Sequence, residues 1–143
     1  MTKKVLLADD NKEYRSSMKR VLEGYGCDVY EVKNADEEIA AAKKETHDLI
    51  VTDKDMEDQY GRKGGIHAIK EIRKFNDKTP ILFSSADLTE EDKKELDGYK
   101  KVDTISKVDM FKKLKEVLKK YGLTVDQAIG QFRIFLGYSE VAK

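Results

Sequence analysis

Six residues stand where they could act together: Asp9, Asp10, Asp53, Asp55, Ser85 and Lys107. The pair Asp9-Asp10 closes the run Val5-Leu6-Leu7-Ala8. Asp53 closes Leu49-Ile50-Val51-Thr52, with Asp55 just beyond. Ser85 ends Ile81-Leu82-Phe83-Ser84, and Lys107 follows Val102 to Ser106. If those runs are strands of one parallel sheet, carboxylates, a hydroxyl and an ammonium converge at its edge. Converging carboxylates repel, and the carboxyl pKa rises unless a cation intervenes. A hard dication with oxygen ligands relieves the repulsion. Mg2+ fits best, or Mn2+, because it accepts a few carboxylates and keeps several waters. A carboxylate held by a dication and a lysine is a poor base, but it can be a nucleophile. Ser85 would then donate to an incoming phosphoryl oxygen and Lys107 would neutralise another. That is phosphoryl transfer by positioning and electrostatics.

The elements needed to place these groups are legible. Asn11 can cap a helix with apolar residues Tyr14, Met18, Val21 and Leu22, closed by Gly24 and Gly26. Asp28 to Val32 alternates as a strand. Asn34 and Glu37 form a capping pair, and Ile39 with the alanines makes the buried stripe of a second helix. A polar loop runs from Lys54 to Gly65. Ile66, Ile69 and Ile72 then recur at helical spacing. Pro80 opens a strand, Thr89 caps a short acidic helix to about Leu96, and Met110, Leu114, Val117 and Leu118 mark a fifth helix ending near Gly122. Five β–α units predict a parallel sheet with helices on both faces, whose ligands bind beyond the carboxyl ends of the strands.

Composition narrows the functions. Lysine plus arginine and aspartate plus glutamate balance at 28 each, so no basic surface points to nucleic acid. No apolar run approaches the ~20 residues of a membrane span, and the opening run is too short for a signal peptide. Cys27 is the only cysteine, which excludes an internal disulfide and fits a cytoplasmic setting. It reads as a small buried hydrophobe. His47 and His67 have no cysteine partners, so zinc is not indicated.

Val-Leu-Leu-Ala-Asp-Asp-Asn, Asp-Leu-Ile-Val-Thr-Asp, Pro-Ile-Leu-Phe-Ser-Ser-Ala and Ile-Ser-Lys occur in this order and spacing. In them the chain resembles the receiver domains of bacterial response regulators, from Lys3 to about Tyr121. The resemblance implies a flavodoxin-like, doubly wound α/β fold with strand order 2-1-3-4-5. It implies phosphorylation of Asp53, with Asp10 on the metal directly, Asp9 through water and Asp55 through its backbone carbonyl. Ser85 would be the switch hydroxyl and Lys107 the family's lysine. The phosphoryl donor would be a sensor histidine kinase or a phosphotransfer protein, and the output an interaction with a downstream protein. The chain would catalyse only its own phosphorylation and dephosphorylation.

Three departures stand out. Glu57 replaces a frequent proline, and Gly65 lies twelve residues after Asp53, which makes that loop about four residues longer than usual. Its charged residues Glu57, Asp58, Arg62 and Lys63 are either a solvated turn or a docking element. Thr104 stands where the family usually has tyrosine or phenylalanine, and is too small to act as the ring that swings inward. Val108 replaces the proline after the lysine. A cis bond before valine costs about 2.5–4 kcal/mol, so a trans bond is expected, with the backbone around Ser106 to Asp109 adjusting to keep Lys107 in reach of Asp53. Residues 1–122 form the receiver, and 123–143 a helical extension. There Thr124 and Gln127 make a capping box, and Val125, Ala128, Ile129, Phe132, Phe135 and Leu136 share one face. That face covers the domain itself or forms a partner or homodimer surface. Two other functions remain open: a metal-dependent phosphatase or phosphotransferase, with Asp55 as a second catalytic aspartate, and a degenerate receiver that binds partners without phosphorylation.

Overall fold

The computed structural model describes residues 2–56 and 63–123. The strands are β1 (Lys3–Ala8), β2 (Cys27–Val32), β3 (Leu49–Asp53), β4 (Ile81–Ser85) and β5 (Val102–Ser106). The helices are α1 (Lys12–Gly24), α2 (Ala35–Lys44), α3 (Gly64–Ile72), α4 (Glu90–Leu96), α5 (Lys107–Lys112) and α6 (Leu114–Lys120). The strands pair in parallel in the order β2-β1-β3-β4-β5, as expected.

Alternation along each strand divides the interior into two layers. Leu6, Ala8, Ile50, Ile81 and Phe83 face Ala42, Ile66, Ile69, Ile72 and Leu96 of α2, α3 and α4. Val5, Leu7, Val51 and Leu82 face Met18 and Leu22 of α1, with Met110, Leu114 and Leu118 of α5 and α6. Strands covered on both faces must be apolar throughout, which is why the central ones read as continuous hydrophobic runs. Cys27 is buried in the second layer.

The caps are those the sequence indicates. The Asn11 and Asn34 side chains accept from Tyr14 N and Glu37 N, and Thr89 and Asp92 form a reciprocal capping box. Gly26 sits at φ 92°, where only glycine is comfortable, and turns the chain from α1 into β2.

Some local expectations change. The fifth helix is two helices, α5 and α6, separated at Lys113, although Met110, Leu114 and Leu118 keep one buried face across the break. Lys107 lies just past β5, and the helix that follows begins earlier than Met110 suggests. Lys107 opens α5, because the Ser106 hydroxyl accepts from Asp109 N and starts the helix there. The buried stripe of α2 is Ala35, Glu38 and Ala42, with Ile39 only partly covered. Glu38 is tolerated there because Thr52 Oγ1 donates to its Oε1 at 2.9 Å. Gly64 and Gly65 belong to the first turn of α3 rather than to the loop. Glu57, Asp58 and Arg62 of that loop, and the expected helix after Thr124, lie outside the described residues. No helix among the described residues is long and apolar enough to cross a membrane.

Candidate functional site

The carboxyl ends of β1, β3, β4 and β5 gather the predicted groups. One carboxylate oxygen from each of Asp9, Asp10 and Asp53 lies within 4.8 Å of the other two. Asp9 and Asp53 are buried, whereas Asp10 is half-buried and lines a cavity of about 410 Å³ with Asn11, Lys33 and Asn34. An all-oxygen set beside an open, polar cavity suits a hard dication that retains water. The Asp55 carboxylate, half-buried two residues beyond β3, is not part of this grouping.

Lys107 supplies the positive charge. Its Nζ lies 2.9 Å from Asp9 Oδ2 and 3.3 Å from Asp53 Oδ1. The Lys107–Val108 peptide is trans, as expected, and the early start of α5 leaves the ammonium within reach of Asp53. Burial pushes the Asp53 carboxyl up to about 7, and the nearby Asp9 charge adds to it, while Lys107 opposes both. Asp9 is raised by the same burial, against the hydrogen bonds from Lys107 and from Asn11 N. The β1 end is further fixed by Arg15, whose Nη1 donates to Asp9 O at 2.6 Å and whose Nε pairs with Glu31 at 2.9 Å.

Ser85 is buried at the end of β4, and its Oγ accepts from Asp87 N at 2.9 Å. The hydroxyl thus holds the turn after β4. Thr104 lines a groove of about 220 Å³ with Lys93, Leu96, Asp97, Val102 and Asp103. A glycine is required behind Asp53: a Cβ on Gly65 would stand 2.2 Å from Asp53 O.

Two residues at the site escaped the sequence reading. The sequence pattern puts Tyr14 on the apolar face of α1, yet its ring lies 4.3 Å beneath Lys107 Nζ. Its hydroxyl is buried beside Ser84 without a well-formed hydrogen bond. Burial, then the charges of Asp9 and Asp53, raise that phenol well above its ordinary range. The other is Lys54, the neighbour of Asp53, which turns away from the acidic cluster and pairs with Asp92 of α4. A polar residue next to Asp53 gave no sign of which way it would point.

The family pattern for the response regulator receiver domain matches residues 5–119. The chain belongs to this family. Among solved structures, Vibrio cholerae chemotaxis protein CheY4 is similar at 25% identity, with 85% of this chain and 99% of that one covered and a TM-score of 0.72. The receiver domain of the Francisella response regulator 1452 is 28% identical, with 85% and 99% covered and a TM-score of 0.68. A CheY-like receiver domain protein from Methanospirillum hungatei JF-1, 22% identical with 85% and 98% covered, shares the fold at a TM-score of 0.71. No curated protein matches the sequence. Membership makes this chain a receiver, of the class that accepts phosphoryl groups in two-component signalling.

Proposed function

We propose that the chain is a signalling switch that accepts one phosphoryl group on Asp53 in a Mg2+-dependent reaction. The observation that carries this reading is the Lys107 ammonium bridging Asp9 and Asp53 beside Asp10. Asp10 and Asp53 would hold the cation directly, Asp9 through water, and the Asp55 backbone carbonyl would complete the protein's share. A bound dication would offset charge on the phosphoryl oxygens and keep Asp53 ionised.

The protein's own groups do the rest. An Asp53 carboxylate oxygen forms the new bond to phosphorus as the bond to the donor's imidazole nitrogen, or to the leaving acyl oxygen of a small donor, breaks. The electron pair of that bond stays with the leaving group. Lys107 meets one phosphoryl oxygen, and the Ser85 hydroxyl turns from the Asp87 loop to donate to another. That rotation would alter the turn that Ser85 now holds, and so transmit the modification toward α4. The donor is a sensor histidine kinase or phosphotransfer protein, the output is altered binding of a downstream protein, and the setting is cytoplasmic.

The grouping of Asp9, Asp10 and Asp53 without the Asp55 carboxylate supports a switch over a phosphatase that would use Asp55 as a second catalytic acid. Incubation with Mg2+ and acetyl phosphate, followed by intact mass, tests the reading. One phosphoryl group is expected, lost in Asp53→Asn. Label on another residue of the wild type, or no label at all, overturns it.

A further inference from the structure

We propose that Tyr14 is a positioning residue for this reaction: its ring is the fixed surface that keeps the Lys107 ammonium aimed at Asp53. The inference rests on the receiver reading and adds a residue to its machinery.

Lys107 has two kinds of partner. The carboxylates of Asp9 and Asp53 hold it at 2.9 and 3.3 Å. Both change during the reaction, because a dication competes for them and Asp53 becomes an acyl phosphate. The Tyr14 ring, 4.3 Å from Nζ, does not change. A cation over an aromatic face is attracted by the ring quadrupole, more strongly when water is largely excluded. The Lys107 side chain is only 20% exposed, so that condition is met.

Tyr14 is held through its backbone and at its ring. Tyr14 lies in the first turn of α1, where its N–H donates to the Asn11 cap at 2.9 Å. Phe111 meets its ring edge-on, centroids 5.4 Å apart and planes at 77°. Lys107 and Phe111 are one helical turn apart on α5, so one ring receives both and fixes the start of α5 against α1. The next residue, Val108, is 65% exposed, so its side chain adds little to that contact. A lysine has four rotatable bonds, and restricting them before the phosphoryl group arrives lowers the entropy lost in the transition state.

Tyr14→Phe and Tyr14→Leu separate ring from hydroxyl. Phosphorylation by acetyl phosphate is followed with saturating Mg2+ and resolved into a donor constant and a rate constant. Tyr14→Leu is expected to lower the rate constant about tenfold, with Mg2+ affinity little changed. Tyr14→Phe is expected to restore it to within about twofold, well under the same energy scale. In a Lys107→Ala background, Tyr14→Leu should have no further effect. In the wild type and in Tyr14→Phe, the Lys107 ε-methylene protons should show an upfield ring-current shift by NMR, absent in Tyr14→Leu.

Equal rates for Tyr14→Leu and wild type overturn the proposal, as does an undiminished loss in the Lys107→Ala background. Absence of the ring-current shift in the wild type also overturns it. A wild type that shows the shift but gains no phosphoryl mass overturns the receiver reading instead, and with it any role for Tyr14 in transfer. The two failures are therefore distinguishable.

Discussion

Lys54 Nζ lies 2.7 Å from Asp92 Oδ2, with the two side chains only 7% and 9% exposed. The pair ties the residue after Asp53 to the first turn of α4. Lys54 Nζ also donates to Asp87 O at 3.1 Å, and Lys54 N donates to Ser84 O at 3.0 Å. One lysine thus spans β3, β4 and the turn carrying Ser85. Burial alone would raise the Asp92 carboxyl. The hydrogen bonds from Lys54 and Thr89 outweigh it and hold that carboxyl below its ordinary range.

Removing one half of such a pair leaves a buried charge without its partner, which typically costs about 3–5 kcal/mol. Lys54→Met should therefore lower unfolding stability by that order in urea titrations. Adding Asp92→Asn should recover part of the loss, because the amide keeps an acceptor for Thr89 N without the charge. A double variant no more stable than Lys54→Met would mean that the stem of Lys54, rather than its charge, matters.

The acidic cluster makes stability depend on pH in a metal-free sample. The folded Asp53 carboxyl binds its proton up to about pH 7, against 3.8 for the ordinary group. Between these values the folded state holds more protons than the unfolded chain. The Asp53 contribution to stability is thus full in acid and is lost as pH rises from about 4 toward 7. Asp9 is raised in the same direction. Without metal, the melting temperature attributable to this cluster should fall between pH 5 and pH 8, and Asp53→Asn should remove much of that fall. Mg2+ at pH 8 should raise melting in the wild type. A pH profile unaltered by Asp53→Asn would contradict the assignment.

Gly65 connects the fold to the site at short range. A methyl group there would need the Asp53 carbonyl, 2.2 Å away, or the first turn of α3 to move. Gly65→Ala is expected to cost about 1–3 kcal/mol and to slow phosphorylation of Asp53. Gly98→Ala, where nothing lies within 4 Å of the added atom, is the control. Equal thermal melting of the two variants would show that α3 shifts freely.

Much of this architecture was legible because its signals are local. Leu49 to Val51 and Ile81 to Phe83 are covered on both faces, so they had to be apolar, and the groups at their ends could be located by counting. The caps at Asn11, Asn34 and Thr89 were legible for the same reason. What escaped depends on distant partners. Glu38 belongs to the core only because Thr52 meets it, and Lys54 is buried only because α4 brings Asp92 to it. Tyr14 fits the helical stripe as well as any apolar residue would. Its place under Lys107 arises from α5 starting at Lys107, which the Ser106 cap sets.

Asp9 and Asp10 adjoin in sequence but differ in surroundings, which separates their roles toward a metal. Asp9 is already engaged, by Lys107 at 2.9 Å through one oxygen and by Asn11 N at 2.8 Å through the other. A cation bound directly there would have to displace the ammonium. Asp10 faces the open polar cavity, where a cation can keep its waters. Asp10→Asn should therefore weaken Mg2+ binding by on the order of a hundredfold, and Asp9→Asn by about tenfold, as for outer-sphere partners. Mg2+ titrations of the two variants at one pH, above that at which Asp53 ionises, make the comparison. Losses equal in size would place both carboxylates on the metal, and Lys107 would then have to leave Asp9 when the cation enters.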